Sequence, residues 1–129
     1  MKEVRLKIII NKSVSEVFEF TTNPSNTHLW VPGIVKEVTN EWPVKVGSIY
    51  KNTSDGINWS EYTVSKFERG KVFVFDKVDS TYHVQYTFKP SLDNQTELEY
   101  YEWMDEGELD GPFTMDILEK LKRVVEQDK

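Results

Sequence analysis

The second half of the sequence is cut into short segments by closely spaced turn residues, and this spacing limits the fold more than any other feature. Four alternating segments in this half are predicted to be strands, over 57–68, 71–77, 82–89 and 96–103. The connections between them contain turn residues such as Gly70 and Pro90 and are too short for crossover helices. We therefore predict that the strands pair antiparallel, as successive hairpins.

The segment from Tyr82 to Lys89 shows the alternation most clearly. Apolar and aromatic residues alternate here with polar ones, namely Tyr82, Val84, Tyr86 and Phe88 with His83, Gln85, Thr87 and Lys89. A period of two is typical of a strand with one buried face and one face in contact with water. On this pattern His83 is expected to be exposed.

The end of the chain is predicted to form the only long helix. Pro112 suits a first helical turn, and the segment 112–127 carries apolar residues at helical spacing: Phe113, Ile117, Leu118, Leu121, Val124 and Val125. A curved antiparallel sheet with a single long helix available buries its apolar face by wrapping around that helix. A hollow can remain where the curvature of the sheet exceeds the radius of the helix.

The first fifty residues predict a strand, two short helices and two further strands. Ser13 and Glu16 have the spacing of a capping box at the start of the first helix. Pro24 ends that helix, and 24–30 leaves room only for a second short helix or a turn, which carries Trp30. The strands of this part are predicted over 4–10, 34–38 and 48–51.

Composition excludes several classes of function. The 129 residues include 22 acidic and 16 basic side chains without segregation of the basic ones, which argues against a nucleic-acid partner. There is no cysteine, so disulfides, thiolate nucleophiles and cysteine zinc sites are excluded. MKEVRLKIII does not have the apolar core of a signal peptide, and no apolar run reaches the roughly 18 to 20 residues of a membrane span. We expect one cytoplasmic domain, 1–129, without stable membrane insertion.

Several stretches of this chain resemble one family of proteins. They are IIINKSVSEVFEFTTNPSNTHLWVPGIVKEV at 8–38, KVGSIY at 45–50, TYHVQYTFKP at 81–90 and TELEYYEW at 96–103, together with the terminal amphipathic helix. The chain resembles the polyketide cyclase/dehydrase-like branch of the START and Bet v 1 (SRPBCC) superfamily. The resemblance runs nearly end to end, but the motifs that carry it are structural and no catalytic signature accompanies them.

The resemblance implies an α+β helix-grip fold. In that fold a curved antiparallel sheet of about seven strands wraps around a long C-terminal helix, and two short helices lie between strands 1 and 2. It also implies a cavity between sheet and helix that binds an apolar small molecule such as a lipid, polyketide, quinone or aromatic compound. Members of the superfamily range from carriers to cyclases, so the fold does not settle the activity.

The candidate ligand cavity is predicted from the inward-facing positions of the strands and the terminal helix. Buried tyrosines need partners for their hydroxyl groups, and several of them around a hollow give an apolar wall with polar handles. The residues expected to line the cavity are Trp30, Tyr50, Tyr62, Val64, Tyr86, Phe88, Tyr100, Phe113, Ile117 and Leu121.

Trp30 has two interpretations: a core anchor beside the second short helix, which we favour, or part of the cavity mouth. His28 and His83 are the only histidines, and nothing in the sequence brings them together as metal ligands. The acidic run that includes Glu97, Glu99 and Glu102 does not have the spacing of a calcium loop and is expected to face outward. No metal, cofactor or identifiable catalytic residue is predicted.

Two strands leave questions about their faces. In 57–68, Tyr62 and Val64 lie on the face opposite Trp59 and Phe67, and we expect Tyr62 and Val64 to point inward. The segment 72–75 is apolar at both parities. Either a β-bulge or a dimer surface explains that pattern, so the chain is expected to be a monomer or a weak homodimer.

Three functions are compatible with these residues. The leading hypothesis is binding or transport of a hydrophobic small molecule in the cavity. The alternative is a polyketide cyclase/dehydratase-type enzyme, in which polar cavity groups such as Tyr50, Tyr86 or Tyr100 position the substrate. A third is an interaction module similar to the co-chaperones that stimulate the ATPase of Hsp90. A cavity that contains an unpaired polar group favours the first two over the third.

Overall fold

The computed structural model describes residues 1–127, which form one antiparallel sheet, two α-helices and a 3-10 helix. The strands are β1 (Glu3–Ile10), β2 (Lys36–Thr39), β3 (Ile49–Thr53), β4 (Trp59–Glu68), β5 (Val72–Lys77), β6 (Tyr82–Pro90) and β7 (Thr96–Met104). The helices are α1 (Val14–Thr22), the 3-10 helix (Pro24–Leu29) and α2 (Met115–Gln127).

The seven strands follow the order β1-β7-β6-β5-β4-β3-β2. Strands β2 to β7 therefore form a meander. Strand β1 extends the sheet by pairing antiparallel with β7, from Glu3 opposite Trp103 to Ile10 opposite Thr96. The predicted α+β fold, a curved antiparallel sheet with a C-terminal helix consistent with the helix grip, is confirmed. The tight turn between β4 and β5 places Gly70 at φ +73°, a conformation that glycine adopts at no steric cost.

Local capping interactions explain why two short helices follow β1. The Ser13 hydroxyl accepts a hydrogen bond from the Glu16 amide at 3.2 Å, and the Glu16 carboxylate accepts one from the Ser13 amide at 3.3 Å. The Asn23 carboxamide oxygen then accepts a hydrogen bond from the Ser25 amide at 3.0 Å, which starts the 3-10 helix. The chain is thus turned back toward the sheet at Trp30.

Helix α2 begins three residues later than predicted. Pro112 and Phe113 precede it in a non-helical segment, and the Phe113 amide donates to a carboxylate oxygen of Glu102 at 2.8 Å. This bond fixes the segment to β7 and delays the first helical turn until Met115. From there Leu118 and Leu121, both fully buried, pack into the concave face of the sheet.

A β-bulge settles the faces of β4. The pairing of β4 with β5 shifts register between Val64 and Lys66, and the extra residue reverses the parity of the residues that follow. Val64 and Phe67, three positions apart, therefore both pack against the core, and Tyr62 lies on the same inner face. Trp59 remains exposed.

The two faces of β5 are covered in different ways. Phe73 and Phe75 belong to the interior cluster. Val72 and Val74 are buried on the outer face, where Val74 pairs directly with Lys66 and Gln85. The aliphatic parts of long polar side chains can cover such valines, so the double apolar pattern does not require a dimer.

Candidate functional site

A cavity of about 110 Å³ lies between the inner face of the sheet, the 3-10 helix and the segment that precedes α2. It exceeds the space of a single water molecule several-fold, but it is below the roughly 300 Å³ of pockets for drug-sized ligands. In this conformation the cavity fits a small molecule. Its lining residues are Thr21, Thr27, Trp30, Val31, Ile34, Glu37, Tyr50, Asn52, Tyr62, Phe73, Phe75, Tyr82, Val84, Tyr86, Tyr100 and Phe113.

The predicted cavity residues divide into two groups. Six of them border the cavity: Trp30, Tyr50, Tyr62, Tyr86, Tyr100 and Phe113. The other four lie in or against the packed core beside it: Val64, Phe88, Ile117 and Leu121. The cavity therefore occupies the end of the concave face near the 3-10 helix, while the middle of α2 covers the packed end.

Trp30 has features of both interpretations considered for it. Its side chain is only 2% exposed and makes edge-to-face contacts with Tyr86 and Phe113, at ring-centroid distances of 6.4 and 6.0 Å. It also borders the cavity, and its indole Nε1 is buried without a hydrogen-bond partner. A packed aromatic anchor thus leaves one donor unsatisfied beside the hollow.

Two adjacent buried threonines at the end of α1 differ in whether their hydroxyl groups have a hydrogen-bond partner. Thr22 is buried and its hydroxyl donates to the carbonyl oxygen of Phe18 at 2.8 Å. Thr21 is also buried, but its hydroxyl has no partner and its side chain borders the cavity. Because most buried polar atoms are hydrogen-bonded, Thr21 and Trp30 mark the cavity as a place where polar groups lack their complement.

Glu37 supplies the carboxylate of the cavity wall. One of its oxygens accepts a hydrogen bond from the Thr27 hydroxyl at 2.6 Å, and the other accepts one from the Asn52 amide at 3.1 Å. Burial raises the pKa of Glu37 above its ordinary value, although both hydrogen bonds act in the opposite direction. The three residues come from β2, the 3-10 helix and β3, and together they form the polar side of the cavity.

The cavity tyrosines remain neutral hydroxyl groups. Burial, reinforced by the negative charge of Glu37, raises the pKa values of Tyr50 and Tyr86, and burial raises the pKa of Tyr100 as well. The Tyr50 hydroxyl donates to the Thr22 carbonyl oxygen at 2.6 Å. The single O–H of Tyr50 is thus already used, and none of these side chains is suited to act as a phenolate base at neutral pH.

A second carboxylate lies behind the cavity wall. Glu102 was expected to face outward and is instead 2% exposed, because it shares the inward parity of Leu98 and Tyr100 on β7. Its oxygens accept hydrogen bonds from the Tyr82 hydroxyl at 2.9 Å and from the Phe113 amide at 2.8 Å. Burial and the charge of Glu102 raise the pKa of Tyr82, which borders the cavity.

The histidines lie away from the cavity lining. His28 is exposed. The expectation that His83 is exposed was wrong: it is partly buried on the outer face of the sheet. Its ring stacks on Trp103 at a centroid distance of 4.8 Å, and its two ring nitrogens each lie 2.6 Å from a carboxylate oxygen, one of Asp76 and one of Asp105. Burial lowers the pKa of His83, but the two carboxylates outweigh this effect and the net shift is upward.

Several residues of the site were missed in the sequence, although a signal existed for most of them. Asn52 has the same strand parity as Tyr50, and Glu102 has that of Tyr100. Thr21 lies one helical turn after Val17, on the face that packs inward. Glu37 gave no such signal, because its segment has apolar residues at both parities, Val35 on its own side and Val38 on the other.

The described residues contain no cluster of metal-ligating side chains. Within residues 1–127 no helix is long and apolar enough to cross a membrane. The candidate site in residues 1–127 is therefore the aromatic-lined cavity with Glu37 on its polar side.

The family model described as polyketide cyclase/dehydrase and lipid transport matches residues 1–128. The chain belongs to this family. No curated protein is significantly similar in sequence. The family assignment supports hydrophobic ligand binding at the level of the family and does not name a ligand.

Solved structures of this family's fold are similar over nearly the whole chain. XoxI from Bacillus cereus has 12% identity and a TM-score of 0.76, over 98% of this chain and 97% of that one. Protein MLL2253 from Mesorhizobium loti has 16% identity and a TM-score of 0.77, over 99% of both chains. DynU16, a protein in the dynemicin biosynthetic locus, has 17% identity and a TM-score of 0.71, over 98% of this chain and 48% of that one. At these identities the similarity establishes the fold.

Proposed function

We propose that this protein binds a small apolar or aromatic molecule in the cavity beside the 3-10 helix. One observation carries the proposal: Trp30 Nε1 and Thr21 Oγ1 are buried and unpaired beside an aromatic-lined hollow. An unsatisfied buried polar atom costs roughly 1 to 3 kcal/mol. A small shift of either side chain would let a ligand in the hollow hydrogen-bond its polar atom and remove that cost, so the arrangement suits a binding site better than a structural core.

Two buried valines allow a matched test of the proposal. Val84 borders the cavity and Val64 lies in the packed core, and both are almost fully buried. Val64→Phe overfills a packed site and should destabilise the protein by about 1 to 3 kcal/mol. Val84→Phe places its ring in the cavity, and we expect a change in stability of less than about 1 kcal/mol.

The measurement is thermal unfolding of the parent and both variants, with and without a panel of aromatic amines, neutral aromatics, quinones and lipids. A ligand raises the unfolding temperature of the parent because it binds only the folded state. Val84→Phe should lose this shift and Val64→Phe should keep it. If no compound shifts the parent, or if both phenylalanine variants are equally destabilised, the binding proposal is wrong.

A second candidate, an enzyme of the cyclase/dehydratase type, is favoured by the chemistry of Glu37. Burial raises the pKa of this carboxyl above its ordinary value, which makes it a stronger base and suits it to take up and return a proton. Glu37→Gln should then abolish turnover of a polyketide-like substrate while substrate binding persists. Unchanged turnover in the variant would remove Glu37 from the reaction.

A further inference from the structure

The charge balance of the cavity is one-sided. Among the lining residues, as far as the structure describes them, there is one carboxylate, Glu37, and no lysine, arginine or histidine. The two hydrogen-bond partners of Glu37 are neutral, the hydroxyl of Thr27 and the amide of Asn52. Burying a carboxylate without an opposite charge is costly, so the complement that is lacking is a positive charge.

The carboxylate also has unused hydrogen-bonding capacity. Each oxygen of Glu37 accepts one hydrogen bond, whereas an ionised carboxylate offers about four acceptor sites. An N–H donor from a ligand can therefore bind Glu37 without displacing Thr27 or Asn52. The raised pKa of Glu37 agrees with a group that gains from a positively charged partner.

The aromatic rings that form the rest of the cavity wall also favour a positively charged ligand. Nine of the lining residues are aromatic: Trp30, Tyr50, Tyr62, Phe73, Phe75, Tyr82, Tyr86, Tyr100 and Phe113. The faces of aromatic rings attract cations, and cages of such rings bind ammonium groups. Glu102 adds a second negative charge behind Tyr82. An anionic ligand would meet the carboxylate of Glu37 and no cation among the described lining residues.

We propose that the ligand of this cavity is a small organic cation, an amine or quaternary ammonium carried on an aromatic or apolar body, with its charge against Glu37. The inference rests on the proposed binding function and narrows its ligand class. The unpaired Nε1 of Trp30 is a donor only, so an oxygen acceptor on the same molecule would satisfy it. Fatty acids and other anions are excluded as preferred ligands.

Three phenols with the same ring and different side-chain charges test the inference: tyramine, which is a cation, 2-(4-hydroxyphenyl)ethanol, which is neutral, and 4-hydroxyphenylacetate, which is an anion. Binding is measured by calorimetric titration of the parent at neutral pH. We expect tyramine to bind at least about tenfold more tightly than the alcohol, a difference within the range of charge and cation–π interactions. The acid should bind most weakly.

Glu37→Gln keeps the shape of the side chain and one of its two acceptor oxygens, and it removes the charge. The new NH2 group replaces the oxygen that accepts from Asn52, and the Asn52 carboxamide oxygen can accept from it after a flip. The preference for tyramine over the alcohol should then disappear, because the affinity of tyramine falls by about tenfold more than that of the alcohol. Glu68→Gln, on an exposed residue of β4 that does not border the cavity, is the matched control for net charge. It should leave all three affinities as they are.

The outcomes separate this inference from the binding function on which it rests. If the alcohol binds as tightly as tyramine, or if Glu37→Gln keeps the preference for tyramine, the inference of a cationic ligand held by Glu37 is wrong and the binding function stands. If none of the three phenols binds and a neutral compound of the wider panel does, the inference of a cationic ligand is also wrong. If no compound binds, both fail. The ranking in the parent decides the question even if a variant does not fold.

Discussion

The two ends of the concave face are built from the same strands but packed in different ways. At the α2 end, apolar residues such as Phe18, Phe88 and Leu121 fill the space between sheet and helix and are almost completely buried. At the end near the 3-10 helix, larger aromatic residues leave a hollow, and Glu37 and Thr21 border it.

The difference between the two ends separates stability from binding. A close-packed apolar end contributes to folding through burial and dispersion contacts. The hollow end gives up some of that contribution, because two of its polar atoms, Thr21 Oγ1 and Trp30 Nε1, are buried without partners. Substitutions at the packed end should therefore lower the free energy of unfolding. At the hollow end, removal of a buried polar group should change ligand affinity and can raise the free energy of unfolding.

The largest effect is expected at Leu121. Leu121→Asp buries a charge without a partner in the packed end, and cooperative thermal unfolding should be lost. Leu121→Ala should cost about 2 to 5 kcal/mol and leave ligand affinity unchanged in the molecules that remain folded. Calorimetry and denaturant unfolding measure both variants.

Lys120→Ala is the control for Leu121, because the neighbouring Lys120 is exposed on the same helix. It should change stability by no more than about 0.5 kcal/mol. If Leu121→Asp unfolds like the parent, α2 does not close the core, and the distinction between the two ends is not valid.

Thr21 and Thr22 give a smaller effect with opposite signs. Valine has nearly the shape of threonine and no hydroxyl. Thr21→Val removes an unpaired buried polar atom and should stabilise the protein by about 1 kcal/mol, whereas Thr22→Val removes a hydrogen bond to Phe18 and should destabilise it by a similar amount. Urea unfolding measures both changes in the free energy of unfolding. If the two variants change it in the same direction, the contrast between the unpaired and the paired threonine is not valid.

Much of the fold was predictable because its signals are local. The alternation in β6, the capping box at Ser13 and the helical spacing that contains Leu121 each determine an element on their own. The register shift between Val64 and Lys66 was not predictable, since a bulge depends on the pairing of two strands. That shift accounts for the inward position of Phe67.

The site was less predictable than the fold for a related reason. Strand parity places aromatic residues such as Tyr86 on the inner face, but it does not tell which of them border a hollow and which are packed. Phe88 follows Tyr86 on the same face and lies in the packed end. Glu37 depends on Thr27 and Asn52, which come from other elements, so its role is visible only after the chain has folded.

Glu37→Gln tests the electrostatics of the hollow end. The folded-state pKa is raised above 4.5, so the folded protein holds this proton more tightly than the unfolded chain. The parent therefore loses stability as pH rises from about 4.5 through the folded pKa. At pH 7 the variant should be more stable, on the order of 1 kcal/mol, and the advantage should vanish near pH 4. A constant difference across this range would mean that Glu37 is not a buried charge.

The smallest effect is expected from His83, whose charges lie outside both ends of the interior. The pKa of His83 is raised above 6.5 by Asp76 and Asp105, so its protonated form stabilises the folded state. That contribution is complete below pH 6.5 and is lost as pH rises through the folded pKa. Because the cluster is partly solvated, His83→Gln should cost at most about 1 kcal/mol at pH 6.

The pH dependence separates this charge contribution from the stacking on Trp103. The variant loses the stacking at every pH, so only the part of the difference that shrinks between pH 6 and pH 9 belongs to the ion pairs. Thermal unfolding of parent and variant at these two pH values measures it, and ligand affinity should not change. A difference that grows with pH would reverse the sign assigned to His83. If the variant loses ligand binding, the outer face and the cavity are coupled, and stability and binding do not depend on separate regions.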